Sequence, residues 1–160
     1  VSRRRGDRNK NLVGFTLEDV HYALDIFRVR EIINPLPIVP LPHAPPSVVG
    51  VSDYRGEVVM VLDVRRRFGL PPVAPTRRTK WVVVDVGAHG VALVVDRVTE
   101  VFGGSQPARR DVPRIGVDDA ARGIAAVYAH RDTLVFVLDL ERVAAVAEVL
   151  ELPPLEGVPQ

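Results

Sequence analysis

The sequence predicts a mainly β fold made of two related lobes, arranged as small barrels or a sandwich. Three observations carry this. The first is a degenerate internal repeat. Residues 55–66 align without gaps on residues 131–142, with Arg55/Arg131, Val59/Val135, Val61/Val137, Leu62-Asp63/Leu138-Asp139 and Arg66/Arg142 coinciding. Ala23-Leu24 followed by Arg28-Val29-Arg30-Glu31-Ile32 likewise reappears as Ala92-Leu93 followed by Arg97-Val98-Thr99-Glu100-Val101. The second is a succession of short β-branched runs separated by turn residues. The third is how little of the chain has helical periodicity.

The elements follow in order. Residues 1–10 are charged and aperiodic and read as a disordered arm. Leu12–Leu17 and Val20–Ile26 alternate around Glu18-Asp19, which predicts a hairpin. Phe27–Ile33 reads as a helical turn that Pro35 ends. Pro35, Pro37, Pro40, Pro42, Pro45 and Pro46 remove too many backbone donors for a central strand, so this stretch is an edge strand or extended loop. Ser47–Tyr54 and Glu57–Leu62 are strands around the Arg55-Gly56 turn. Asp63 then caps a short helix, Val64–Phe68, which Gly69 closes. Residues 71–78, rich in Pro and Arg, are the expected boundary between a first lobe of about residues 11–70 and a second of about 79–138, with segment exchange across it left open.

The second half repeats the plan. Lys80–Val86 and Val91–Val95 are nearly continuous in valine, as expected of strands buried on both faces. Val98–Phe102 continues as a strand, and Gly103–Arg122 reads as a loop. Gly123–His130 and Thr133–Leu138 form the last hairpin. Asp139 caps a C-terminal helix of about residues 139–151, stopped by Pro153-Pro154, with 152–160 as a flexible tail.

Composition narrows the function. The chain has 160 residues, no cysteine and a net charge of +1. Thiolate metal sites and disulfides are thereby excluded, and no global field favours nucleic acid or membranes. No stretch is long and uncharged enough for a membrane-spanning helix. His21, His43, His89 and His130 are scattered without metal-ligand spacing. Asp63 and Asp139, each at the end of a strand, read as helix caps rather than a catalytic pair. The runs Arg65-Arg66-Arg67 and Arg77-Arg78-Thr79-Lys80 read as solvated faces, since few aromatics accompany them to stack bases. No catalytic constellation assembles and no cofactor or metal is expected.

The order of hairpin, Val29-Arg30-Glu31-Ile32, Pro-rich segment, Val49-Gly50-Val51-Ser52-Asp53-Tyr54-Arg55-Gly56 and Val59-Met60-Val61-Leu62-Asp63 resembles the CheW family, the coupling proteins of bacterial chemotaxis. Val91–Val98 and Gly123-Ile124 leading to Leu134–Asp139 agree with it, so the similarity covers about residues 11–150. The resemblance implies two five-stranded SH3-like β-barrel subdomains packed on a shared hydrophobic core, with short helices and a C-terminal helix. It implies a non-enzymatic, cytoplasmic adaptor, recruited to receptor arrays at the inner membrane face. Its implied partners are the regulatory domain of a CheA-type histidine kinase and the cytoplasmic tips of methyl-accepting chemoreceptors, without nucleic acid or direct membrane insertion. Val29, Glu31 and Ile32 match a partner-facing stretch of the family. Arg55 and Gly56 match the Arg-Gly of an Asn-Leu-Arg-Gly signature that reads Asp53-Tyr54-Arg55-Gly56 here. The kinase is expected near Val29, Glu31 and Ile32. The receptor tip is expected in the groove near Arg55 and the segment from Val98 to Val101. The alternatives are an excised CheW-like regulatory domain of such a kinase and an SH3-like barrel that binds nucleic acid.

Overall fold

A computed structural model describes residues 11–102, 108–110 and 123–145. The expected arm at 1–10, most of the expected loop, the rest of the C-terminal helix and the tail lie outside the described residues.

Among the described residues, eleven strands form two antiparallel-rich sheets. The first sheet has the order β3 (Val29–Ile33), β6 (Lys80–Val86), β7 (His89–Val95), β5 (Glu57–Asp63), β4 (Val48–Tyr54). The second has the order β8 (Arg97–Phe102), β1 (Leu12–Leu17), β2 (Val20–Asp25), β11 (Thr133–Leu138), β10 (Ile124–His130), extended by the short β9 (Ala108–Arg110). Each lobe is thus a five-stranded sheet, the second with one added edge strand. Short helices α1 (Val64–Arg67) and α2 (Leu140–Val143) follow β5 and β11. Both are capped as their sequences predict: the Asp63 and Asp139 carboxylates accept from the N–H groups of Arg65 and Arg142.

Three expectations are corrected. Val29–Ile33 is a strand, not part of a helical turn; only Ile26–Arg28 makes one 3-10 turn, capped by Asp25. The β-branched Val29, Ile32 and Ile33 gain more by pairing with β6 than a short isolated turn could offer. The 103–122 segment contains β9, paired with β10. The lobes are not consecutive blocks either. The β6–β7 hairpin fills the centre of the first sheet and β1–β2 the centre of the second. Each half of the chain therefore supplies the middle of the other half's sheet.

The repeat is a repeat of register. Met60 pairs with Val91 across the parallel β5–β7 ladder, and the equivalent residues Phe136 and Tyr22 pair across β11–β2. Val29 pairs with Val84, and its equivalent Val98 with Phe15. Even the irregularity recurs, falling between Val29 and Glu31 in one sheet and between Val13 and Phe15 in the other.

Valine runs suit this arrangement. Val82, Val84, Val91, Leu93 and Val95 face the core shared with Phe15, Leu17, Leu24, Leu62 and Leu138. Trp81, Val83 and Ala92, on the opposite face of the same strands, fill the first barrel with Tyr54, Val59 and Val61. Burial on two sides removes the polar alternation. Each fully buried side chain of this size contributes about 1.5–3 kcal/mol.

The lobes are tied at both ends of the seam. Arg65 of α1, its side chain only 5% exposed, reaches Asp96 at 2.6 Å, Glu18 at 3.2 Å and the Pro71 carbonyl at 2.8 Å. At the equivalent position of α2, Glu141 binds Arg28 in the 3-10 turn. The polarity is reversed, and the second contact is open to solvent. Arg67 donates to the carbonyls of Val143 and Arg142. Of the run Arg65–Arg67, then, only Arg66 is an exposed residue, which corrects its reading as a solvated face.

Gly50 shows how closely the Pro-rich segment lies. Val39 and Val51 exchange backbone hydrogen bonds of 2.8 and 2.9 Å across it. A Cβ at Gly50 would sit 2.3 Å from the Val39 carbonyl oxygen and 2.8 Å from Ile38 Cγ2. Gly50→Ala is expected to destabilise the fold by about 2–3 kcal/mol, because backbone must move to admit one methyl. A urea unfolding curve superimposable on that of the parent chain would contradict this.

Candidate functional site

Arg55 and Gly56 form the two-residue turn between β4 and β5, with φ of 53° and 85°. Two consecutive positive φ values match the right-handed twist of a tight hairpin. The equivalent Arg131-Asp132 turn repeats them at 52° and 63°. The Gly56 N–H donates to Asp53 Oδ1 at 2.7 Å, which closes the turn and leaves the Arg55 side chain outside.

Glu31, on β3, lies at the opposite edge of the same sheet. The barrel's curvature nonetheless brings it to the turn. Arg55 donates to Glu31 Oε2 at 2.8 Å, and the Tyr54 hydroxyl donates to Glu31 Oε1. The Tyr54 ring is buried and carries Arg55 at 5.5 Å and Arg30 at 5.8 Å from its centroid. Arg30 in turn binds Glu57 at 2.8 Å and Asp85. These two carboxylates raise the Arg30 guanidinium further above its ordinary range. The result is a corner of fixed charges with a planar, 71% exposed Arg55 side chain at its tip.

The hydrogen bond to Glu31, helped by burial, raises the Tyr54 phenol above its ordinary value. A folded-state pKa above the unfolded one stabilises the chain below the ordinary phenol range, and this is lost as pH rises through the folded value. In an absorbance titration of the folded protein, Tyr54 is expected to ionise above the ordinary phenol range. Glu31→Gln should bring it back down. No change in that variant would show that the Glu31 contact does not control the phenol.

The other sequence-predicted site residues divide. Ile32 is exposed on β3, beside Glu31. Val29 packs against the shared core, as does its equivalent Val98, so both support the surface more than they form it. Val101 is exposed on β8, an edge strand of the other sheet. No hydrogen bond or ion pair among the described residues joins Arg55 to the segment from Val98 to Val101. Sequence reasoning grouped Arg30 with Arg55 as a charged rim around Val29 and Ile32 but missed Tyr54, the ring on which both arginines lie. It also missed Phe27, which is 82% exposed at the 3-10 turn beside Arg28. An aromatic side chain inside a charged Asp-Ile-Phe-Arg segment was the available signal for Phe27.

Such a corner offers recognition: planar donors, a braced carboxylate and flanking apolar side chains. Among the described residues no three His, Asp or Glu side chains come together to hold a metal, and no helix is long and apolar enough to cross a membrane. The fold is that of a non-enzymatic scaffold module built of two barrels.

The family description "CheW-like domain" matches residues 11–148, and the chain belongs to that family. It is 33% identical over 129 residues to a probable chemotaxis protein CheW of Rhizobium etli, covering 79% of this chain and 82% of that protein. The chemotaxis protein CheW of Rhizobium meliloti is also 33% identical over 129 residues, with 79% and 83% covered. The crystal structure of the scaffolding protein TtCheW from Thermoanaerobacter tengcongensis superposes with a TM-score of 0.74 at 26% identity, over 82% of this chain and 85% of that one. The chain is a non-enzymatic adaptor of chemotaxis-type signal transduction, and the expected class of two SH3-like barrels holds.

Proposed function

We propose that this adaptor couples the cytoplasmic tips of methyl-accepting chemoreceptors to the regulatory domain of a CheA-type histidine kinase, within receptor arrays at the inner face of the cell membrane. The observation that carries the reading is the Glu31–Tyr54–Arg55 corner beside exposed Ile32. It is braced internally yet keeps the Arg55 guanidinium exposed to a partner. Edge strand β3 and the Arg55-Gly56 turn dock the kinase domain. Edge strand β8 of the other sheet, with exposed Val101, receives the apolar receptor tip. Val29 and Val98 hold these surfaces in place from behind. The adaptor changes no covalent bond; it biases the kinase by binding one of its states more tightly than the other.

The test is reconstitution. Receptor-bearing membranes, the kinase and this chain are mixed and sedimented. The adaptor is expected to pellet with receptor alone, to bind the soluble kinase alone, and to raise the kinase recovered with receptor at least tenfold. Failure to bind either component separately would remove the coupling role.

A further inference from the structure

The register repeat allows the two barrel interiors to be compared position by position. The first is filled by Trp81, Val83, Tyr54 and Val59. The equivalent positions of the second hold Leu12, Gly14, His130 and Val135; Gly14 pairs with Ala23 as Val83 pairs with Ala92. Three of the four side chains are smaller. Where the missing volume falls, the surface opens into a depression of about 450 Å³, with Gly14 and Val135 in its lining. That volume suits a small molecule.

Its charge is the second observation. Among the described residues, Arg97, Arg131, His21 and His130 line the depression with Thr99, Thr133 and a single carboxylate, Glu100. In the first lobe the equivalent arginines are neutralised: Arg28 by Glu141 and Arg55 by Glu31. Among the described residues, Arg97 and Arg131 form no ion pair. Glu100, at the position of Glu31, lies instead 3.7 Å from His130 Nε2. Exchanging Tyr54 for His130 and Val83 for Gly14 thus turns a closed, charge-paired corner into an open one whose two guanidinium groups have no ion-pair partner among the described residues. Two histidines that look unrelated in the sequence, His21 and His130, line the same depression.

We propose that this depression in the second barrel is a binding site for a small organic carboxylate with a compact apolar body. The guanidinium forks of Arg97 and Arg131 match carboxylate oxygens, while the space over Gly14 and Val135 takes the hydrocarbon. A bare inorganic anion would leave that space unfilled. The site is separate from the Glu31 corner, so its failure leaves the adaptor reading intact.

The experiment is calorimetric titration of the whole chain with benzoate, with benzyl alcohol and inorganic phosphate as comparison probes. Benzoate should bind saturably, with a dissociation constant below about 1 mM, and each comparison probe at least tenfold more weakly. Gly14→Val, which installs the residue of the first barrel, and Arg131→Gly, which suits that turn's positive φ, should each weaken benzoate at least tenfold. Should Gly14→Val fail to fold, Arg131→Gly and Arg97→Ala decide the matter from the surface. Absence of saturable benzoate binding, phosphate binding as tightly as benzoate, or full affinity in the folded variants would each overturn the assignment.

Discussion

Arg65→Met is expected to lower the unfolding free energy by about 3 kcal/mol, more than any exposed charge in the chain would. Arginine is a surface residue by habit, yet here its side chain is almost wholly enclosed. Its guanidinium joins α1, directly after β5 of one sheet, to Asp96 before β8 and Glu18 in the β1–β2 turn of the other. Asp96 is itself committed, accepting from the Glu18 N–H at 2.8 Å. Methionine fills the space but leaves two carboxylates and the Pro71 carbonyl without their donor, which is the costly way to break such a contact. The contrasting variant is Arg28→Met. Its partner Glu141 is 56% exposed, so about 1 kcal/mol or less is at stake there. Arg28 holds the Glu141 carboxyl below its usual range, chiefly by hydrogen bonding. That small contribution is present above the ordinary glutamate pKa and is lost as pH falls through the lowered value. Urea unfolding of both variants reads the difference directly. Equal losses would mean that the enclosed clamp has no special role.

Arg55→Glu is expected to weaken kinase-domain binding about 30–100-fold, or roughly 2–3 kcal/mol, while the thermal midpoint stays within error. The stability half follows from exposure: a solvated ion pair contributes about 0–1 kcal/mol. Glutamate also tolerates the turn's φ of 53° no worse than arginine does. The binding half follows from geometry. Reversal places a carboxylate beside Glu31, repelling it from the corner and presenting the wrong charge to a partner. A swapped double variant, Glu31→Arg with Arg55→Glu, separates the two effects, because it restores the internal pair with its polarity inverted. It should remain a poor binder. Recovery to parental affinity would reduce Arg55 to an internal brace and refute its direct contact with the kinase.

How far the fold could be read without coordinates depends on whether the determining contacts are local. The β1–β2, β4–β5 and β10–β11 hairpins follow from alternation and turn chemistry within a dozen residues, and so do the caps at Asp63 and Asp139. The valine runs of β6 and β7 announce burial on two faces. The strand at Val29–Ile33 does not announce itself: its Arg-Glu-rich spelling suits a helical turn, and its partner β6 arrives some fifty residues later. Arg65 is indistinguishable from Arg66 until α1 is placed against the other lobe. The corner was half legible. Glu31 and Arg55 stood out by resemblance, but the hydroxyl that joins them belongs to Tyr54, one of the two residues departing from the expected signature. No local rule connects two opposite sheet edges that meet only because the barrel curls.

The exchanged hairpins have a consequence for ancestry and for engineering. A half-length chain on its own would possess outer strands with nothing between them. Two such chains could complete each other by donating hairpins reciprocally, which describes a swapped homodimer as the simplest forerunner of the tandem gene. By the same logic, severing the present polypeptide within 71–78 should yield two pieces that are unfolded apart and regain structure when mixed.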